Sequence, residues 1–244
     1  MTAWTQCIEA RPFARQRLVC FPHAGGSPYF FRDWGKALPG LEVHAVCYPG
    51  RAERFKEPLA TDVVQLAGEI AEALRPLLDR PVALFGHSMG AVLAYETARR
   101  LQAAGVAASH LYVSGARAAH LDRSGPAAVD FDDEEAVVRT LVELGGTDAE
   151  LLDSPLFRSM VLPYIAGDFR MLASYTHRPA ALLQCPVTAL VGGSDPRVTP
   201  AQCAAWEQLG GRGFRHEVVP GGHFYLAQQP PFALIEETCG GGRG

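Results

Sequence analysis

The stretch PVALF (81–85), GHSMG (86–90), AVLAYETARRLQAA (91–104) sets a serine between two glycines, where a strand-like run meets a helix-like one. Five apolar residues followed by helical spacing predict a buried strand that turns sharply into a helix. Gly86 and Gly90 are small because strand and helix pass close on either side of that turn. Such a turn exposes the Ser88 hydroxyl at the carboxyl edge of a sheet, where open α/β sheets place their sites. It also puts Ser88 at a helix N-terminus, whose free amides favour developing negative charge. G-x-S-x-G by itself marks only a tight turn. The strand before it and the helix after it make it the setting of a nucleophile.

Working outward, strand-like runs recur at RLVCF (17–21), VHAVCY (43–48), HLYVSG (110–115), PVTALVGG (186–193) and FRHEVV (214–219). Most are too continuous in Val, Leu, Ala and Cys to be half-exposed, so they read as strands buried on both faces. Helical patterns lie between them. Residues 61–78 open on a Thr-Asp cap signal, and residues 89–103 end just before Gly105. The alternation predicts an α/β fold, a mostly parallel central sheet with helices on both faces. A length of 244 residues suits one such domain, 1–244.

The alternation breaks over about 116–180, which contains no convincing strand. FDDEEAVVRTLVELGG (131–146) reads as one helix, with acids in its first turn and glycines after its last. Residues 154–175 read as another, kinked at Pro163. A connection this long carries function in a compact domain. We read it as a helical lid, with Phe157, Met160, Val161 and Phe169 as candidates to line an apolar acyl pocket. Ordinary core packing on the sheet is the plainer alternative. The terminal GGGRG reads as a tail.

Composition narrows the function. With 22 basic and 26 acidic residues the net charge is −4, which argues against a general binder of nucleic acid or of anionic membranes. No 18-residue apolar run and no signal-peptide pattern is present, so a soluble cytoplasmic protein is expected. Six scattered cysteines have no metal-ligand spacing and suit a reducing compartment. Arg51, Arg54, Arg117 and Arg123 are candidates to meet an acidic partner; solvated surface charge is the simpler reading.

A serine hydroxyl needs a base, and the base needs a carboxylate. In this architecture the chain order is Ser, then Asp or Glu, then His. Asp195 in GGSDPRV follows one strand-like run, and His223 in PGGHFYL follows another, which places both on the edge that carries Ser88. Asp122, Asp153 and Asp168 fall in the lid segment and rank below Asp195. The oxyanion hole requires one amide after the nucleophile and one from an early loop. Met89 supplies the first. FPHAGGS (21–27) suits the second, with Ala24 the chosen donor and Gly25 next.

With these residues assembled, the chain resembles the stand-alone type II thioesterases of polyketide and nonribosomal peptide assembly lines, which are α/β-hydrolases. The resemblance lies in FPHAGGSPYFFRDW, YPGRAERFKEPL, RPVALFGHSMGAVLAYETARRL, LPYIAGDFRMLASY, VTALVGGSDPRVTP and PGGHFYL, from about residue 17 to 235. It implies Ser88 as nucleophile, Asp195 as acid, His223 as base, and Ala24 and Met89 as oxyanion amides. It further implies an editing hydrolase acting on acyl or peptidyl carrier proteins that bear phosphopantetheine. A monomer without metal or organic cofactor would suffice. The lid core of the family often carries Arg-Ala-Asp, where Ile-Ala-Gly-Asp stands here at 165–168. A small-molecule carboxylesterase or lipase-like hydrolase, and a catalytically silent binding protein of the same fold, are the rival readings. An acyltransferase or macrocycle-releasing thioesterase is a third.

Overall fold

A computed structural model describes residues 4–122 and 130–240; Arg123 and residues 241–244 of the terminal GGGRG lie outside them. Seven strands form one sheet: β1 (Thr5–Glu9), β2 (Gln16–Phe21), β3 (Leu41–Val46), β4 (Val82–His87), β5 (His110–Ser114), β6 (Val187–Gly192) and β7 (Phe214–Val219), in the order β1-β3-β2-β4-β5-β6-β7. All neighbours are parallel except β1, which pairs antiparallel with β3. The six anticipated runs are strands. β1 was not among them, because TQCIE lacks the apolar continuity of a central strand and lies at an edge. β7 is the other edge and is only half-buried, the exception among the runs, in keeping with the Arg, His and Glu of FRHEVV.

Both faces of the central strands are covered, as alternation along them requires. Val19, Phe21, Leu84 and Val113 face α2 (Val63–Ala73) and α3 (Met89–Ala103). Leu18, Cys20, Phe85 and Tyr112 face the other way, toward Phe31, Trp34 of α1 (Trp34–Ala37) and Ile235 of α9 (Phe232–Gly240). Asp62 caps α2 by accepting the N–H of Gln65 at 2.7 Å. That helix stops at Ala73, short of the expected 78, since Pro76 cannot continue it and a single 3-10 turn follows. α8 (Pro200–Ala204) follows β6 and starts on a capping box of Thr199 with Gln202.

Between β5 and β6 the chain forms α4 (Glu134–Leu144), α5 (Ala149–Leu152), α6 (Pro155–Met160) and α7 (Leu162–Ser174). Asp133 caps α4 and Gly145 closes it in left-handed backbone, as the acids and glycines of that stretch foretold. Residues 154–175 form two helices rather than one kinked helix. Pro155 and Pro163 each fall in a first turn, where a missing N–H costs nothing, and the chain breaks between them at Val161. Val137, Leu141, Leu152, Leu162 and Ile165 give these helices a cluster of their own.

Backbone passes very close to backbone at the β4–α3 turn. A Cβ on Gly90 would sit 2.1 Å from the carbonyl oxygen of Phe21, and one on Gly86 2.1 Å from that of Gly90. Both obstacles are backbone and cannot rotate away. Gly90→Ala should therefore cost at least about 3 kcal/mol in urea denaturation. Gly40→Ala, which meets nothing within 4 Å, should stay within about 0.5 kcal/mol of the parent.

Candidate active site

Ser88 occupies φ 56°, ψ −117°, a conformation that side chains rarely adopt, and it shares positive φ with only Ala52 among the described non-glycine residues. Its N–H donates to Ser114 O at 2.7 Å, which pins the turn to β5. The hydroxyl stands where α3 begins. His223 Nε2 lies 3.0 Å from Ser88 Oγ, and His223 Nδ1 lies 2.7 Å from Asp195 Oδ2. Asp195 is oriented in turn, since its Oδ1 accepts the N–H groups of Arg197 at 2.8 Å and Val198 at 3.1 Å. The structure thus brings together three residues that span 135 positions of sequence.

Glycines make that convergence fit. Gly192 ends β6 so close to the His223 loop that a Cβ would lie 2.1 Å from Gly222 O. Gly115, at φ +58°, leaves room for two imidazoles: its Cβ would be 2.6 Å from His87 Cε1 and 3.4 Å from His223 Cε1. His87 is the buried neighbour of His223, with ring centroids 5.1 Å apart. Its Nδ1 is 2.9 Å from Ser114 Oγ, which lies 2.8 Å from the Tyr225 hydroxyl. This chain of side chains braces the His223 loop from beneath.

The other loop at this edge is residues 22–27. Gly26 N donates to His23 O at 2.9 Å and Gly25 N to Asp168 Oδ2 at 2.8 Å. Gly25, the second choice for an oxyanion donor, therefore has its N–H engaged. Ala24 is 8% exposed and Met89 is fully buried at the first position of α3, where an N–H has no partner within the helix.

Several other expectations change. Arg51 and Arg54 are internal, at 5% and 6% exposure, and cannot greet a partner. Arg51 pairs with Asp168, while Arg54 pairs with Glu57 and stacks 3.5 Å over the Trp4 ring. Arg117 is half-buried and donates to Arg197 O. Met160 does not line a pocket: it is 67% exposed, because α6 turns Leu156 and Met160 to solvent and Phe157 inward. Phe157 and Val161 are partly buried and pack against the helical cluster, and Phe169 touches both that cluster and the main core. The Arg51–Asp168 pair was missed because its partners lie 117 residues apart.

Among the described residues, Cys7, Glu42 and His44 bring donor atoms within 4.8 Å of one another. They do not fit a metal. Glu42 already binds Arg17 Nε at 2.6 Å through Oε2 and the Arg11 N–H at 3.1 Å through Oε1, so a guanidinium stands where a cation would need the carboxylate. All six thiols are unpaired, and burial pushes those of Cys20, Cys47, Cys185 and Cys203 up, away from reactivity. No described helix is long and apolar enough to cross a membrane.

A parallel sheet with helices on both faces and a nucleophile-type turn after a central strand is the architecture of the α/β-hydrolases. The thioesterase domain model matches residues 16–239, and the chain belongs to the thioesterase family, whose members hydrolyse thioesters. A probable cadicidin biosynthesis thioesterase from Streptomyces griseus is 41% identical over 213 residues, which are 87% of this chain and 58% of that protein. The chain thus spans little more than half of that relative. Thioesterase PikA5 from Streptomyces venezuelae is 40% identical over 229 residues, 93% of this chain and 81% of that one. Among solved structures, the type II thioesterase BorB from the borrelidin biosynthetic cluster superposes with a TM-score of 0.88 at 40% identity, covering 97% of this chain and 98% of its own.

Burial has one further effect at this edge. It pushes His87 well below the ordinary imidazole value of 6.5 and His23 down to about 3, with the nearby His223 a smaller cause in each. His110 goes down to about 4 and His44 is lowered too, both chiefly by burial. A folded-state value below the unfolded one means that the unfolded chain binds more protons once the pH falls below about 6.5. Stability should be full above pH 7 and decline steadily from 6.5 toward 4. Thermal melts across that range check this, and His110→Gln should flatten the slope by at most about 1.4 kcal/mol per pH unit.

Proposed function

We propose that this chain hydrolyses acyl groups from the phosphopantetheine arm of acyl or peptidyl carrier proteins, as an editing thioesterase of polyketide or nonribosomal peptide assembly. The observation that carries the chemistry is the hydrogen-bonded series from Ser88 through His223 to Asp195, mounted on a positive-φ turn at the head of α3. The names of PikA5 and BorB, which cover most of their own length in the match, support the pathway.

His223 Nε2 takes the Ser88 proton as Oγ attacks the thioester carbonyl. The N–H groups of Ala24 and Met89 hold the oxyanion. Asp195 keeps the imidazole in the right tautomer and offsets the charge it gains. Collapse breaks the C–S bond, and the imidazolium returns its proton to the departing sulfur. A thiolate leaves more readily than an alkoxide, so this proton transfer needs little assistance. Water then gives a proton to His223 and attacks the acyl-serine, releasing the free acid and restoring Ser88. His87 and His23 stay neutral through this cycle, so the charge that forms on His223 meets no like charge from them.

Helices α4–α7 act as the lid in this reading, and residues 1–244 form one domain. The acyl chain lies at the junction near Phe169, with Phe157 and Val161 behind it; Met160 takes no part. The protein works as a cytoplasmic monomer on a carrier-protein partner, with no metal or organic cofactor.

Deacylation of a panel of acyl-loaded carrier proteins, followed by mass, tests the assignment. Serine-dependent release of free acid is expected, fastest for short or mismatched acyl groups. Ser88→Ala should lower kcat by at least about 1,000-fold, and Asp195→Asn by a comparable factor. Intact carrier thioesters beside rapidly cleaved simple esters would make the chain a carboxylesterase. No turnover of either would make it a silent binding protein.

A further inference from the structure

Asp168 is a carboxylate 4% exposed in the middle of α7, and three segments of chain meet on it. Arg51, in the loop after β3, forks onto it, with Nη1 2.5 Å from Oδ2 and Nη2 2.7 Å from Oδ1. The same Oδ2 accepts the N–H of Gly25 at 2.8 Å. Arg51 Nη1 also reaches Gly26 O at 3.4 Å. The guanidinium is held between the rings of Tyr48 and Tyr164, at 5.3 and 5.1 Å, and Tyr48 itself donates to Pro22 O at 3.0 Å.

Taking two such charges out of water is costly, and an apolar pair of equal volume would hold α7 down as well or better. Docking alone therefore does not account for the choice of residues. What the carboxylate adds is an acceptor aimed at one backbone amide. That amide belongs to the Ala24–Gly25 peptide plane, which is joined at the Ala24 Cα to the His23–Ala24 plane carrying the N–H assigned to the oxyanion. Contact reinforces the link: a Cβ on Gly25 would lie 2.6 Å from Ile165 Cγ1, less than one turn before Asp168 on α7.

We propose that Asp168, oriented by Arg51, is a positioning residue for the oxyanion hole. Its bond to Gly25 fixes the 22–27 loop so that the Ala24 amide faces the reacting oxygen, and the hole is complete only while α7 is docked. This rests on the serine mechanism proposed above.

Asp168→Asn should lower kcat about 10- to 100-fold with KM changed less than about threefold. The affinity of a short alkylboronic acid, which forms a tetrahedral adduct on Ser88, should fall in parallel. The boronate reads the hole whatever the natural acyl carrier is, so failure of the carrier assignment would leave this test standing. Arg51→Met combined with Asp168→Leu separates positioning from packing. It should regain the thermal stability lost in Asp168→Asn while kcat stays low. Recovery of kcat together with stability overturns the proposal. So does Asp168→Asn with kcat within about twofold of the parent, or a rise in KM alone. Should neither variant fold, hydrogen exchange of the unaltered protein decides. Gly25 and α7 amides protected to the same degree sustain the latch, and fast exchange at Gly25 beneath a protected α7 ends it.

Discussion

The contact on which the rest of this molecule depends is backbone against backbone, where the head of α3 crosses the end of β2. Gly90 passes the carbonyl of Phe21 with no room for a methyl group. That closeness makes the chain leave β4 so abruptly that Ser88 is forced to positive φ. The strain is held by the ladder on either side, β2 through Phe21↔Gly86 and β5 through His87↔Ser114. Everything at the site follows from a hydroxyl presented outside the sheet at a helix start rather than packed within it.

The remaining parts arrive as loops from the same edge. β6 brings Asp195 and β7 brings His223, and the two loops bind each other through Ser194 N to Gly221 O at 2.9 Å. Parallel strands make this convergence inevitable, because every carboxyl end lies on one side of the sheet. The histidines divide the work by solvation. His87 and His23 are kept neutral by burial beside His223, and His223 is held between a carboxylate and a hydroxyl.

How much of this could be read in advance depends on the distance over which each feature is decided. Strand β4, its turn and helix α3 are local, and composition over 24 residues gave them away. The order Ser88, Asp195, His223 needed only the rule that loops follow strands. By contrast, the Arg51–Asp168 pair joins a loop to a helix across the whole α3–β5 unit, and neither residue carries a local sign of its partner. Isolated charges in a sequence look solvated by default, which is how Arg51 and Arg54 came to be read as surface groups. Met160 failed for a different reason. Helical spacing tells which residues share a face, but not which face turns inward, and the break at Val161 resets the phase between α6 and α7.

The half-buried strand β7 has a bearing on how the protein behaves in a crowd. It ends the sheet, and an unpaired strand edge is a template on which another chain can add itself. Along it Arg215 bonds Glu217 at 2.7 Å and Glu237 of α9 at 3.0 Å, so a cross-linked row of opposite charges stands along the open edge. A strand approaching that edge would have to strip water from these groups before gaining a single ladder bond. At the opposite edge β1 pairs antiparallel with β3, and its register shifts between Cys7 and Glu9, an irregularity that spoils the even row of groups a new strand would need. Both edges of the seven-stranded sheet thus oppose further growth, one through paired charge and the other through a broken register.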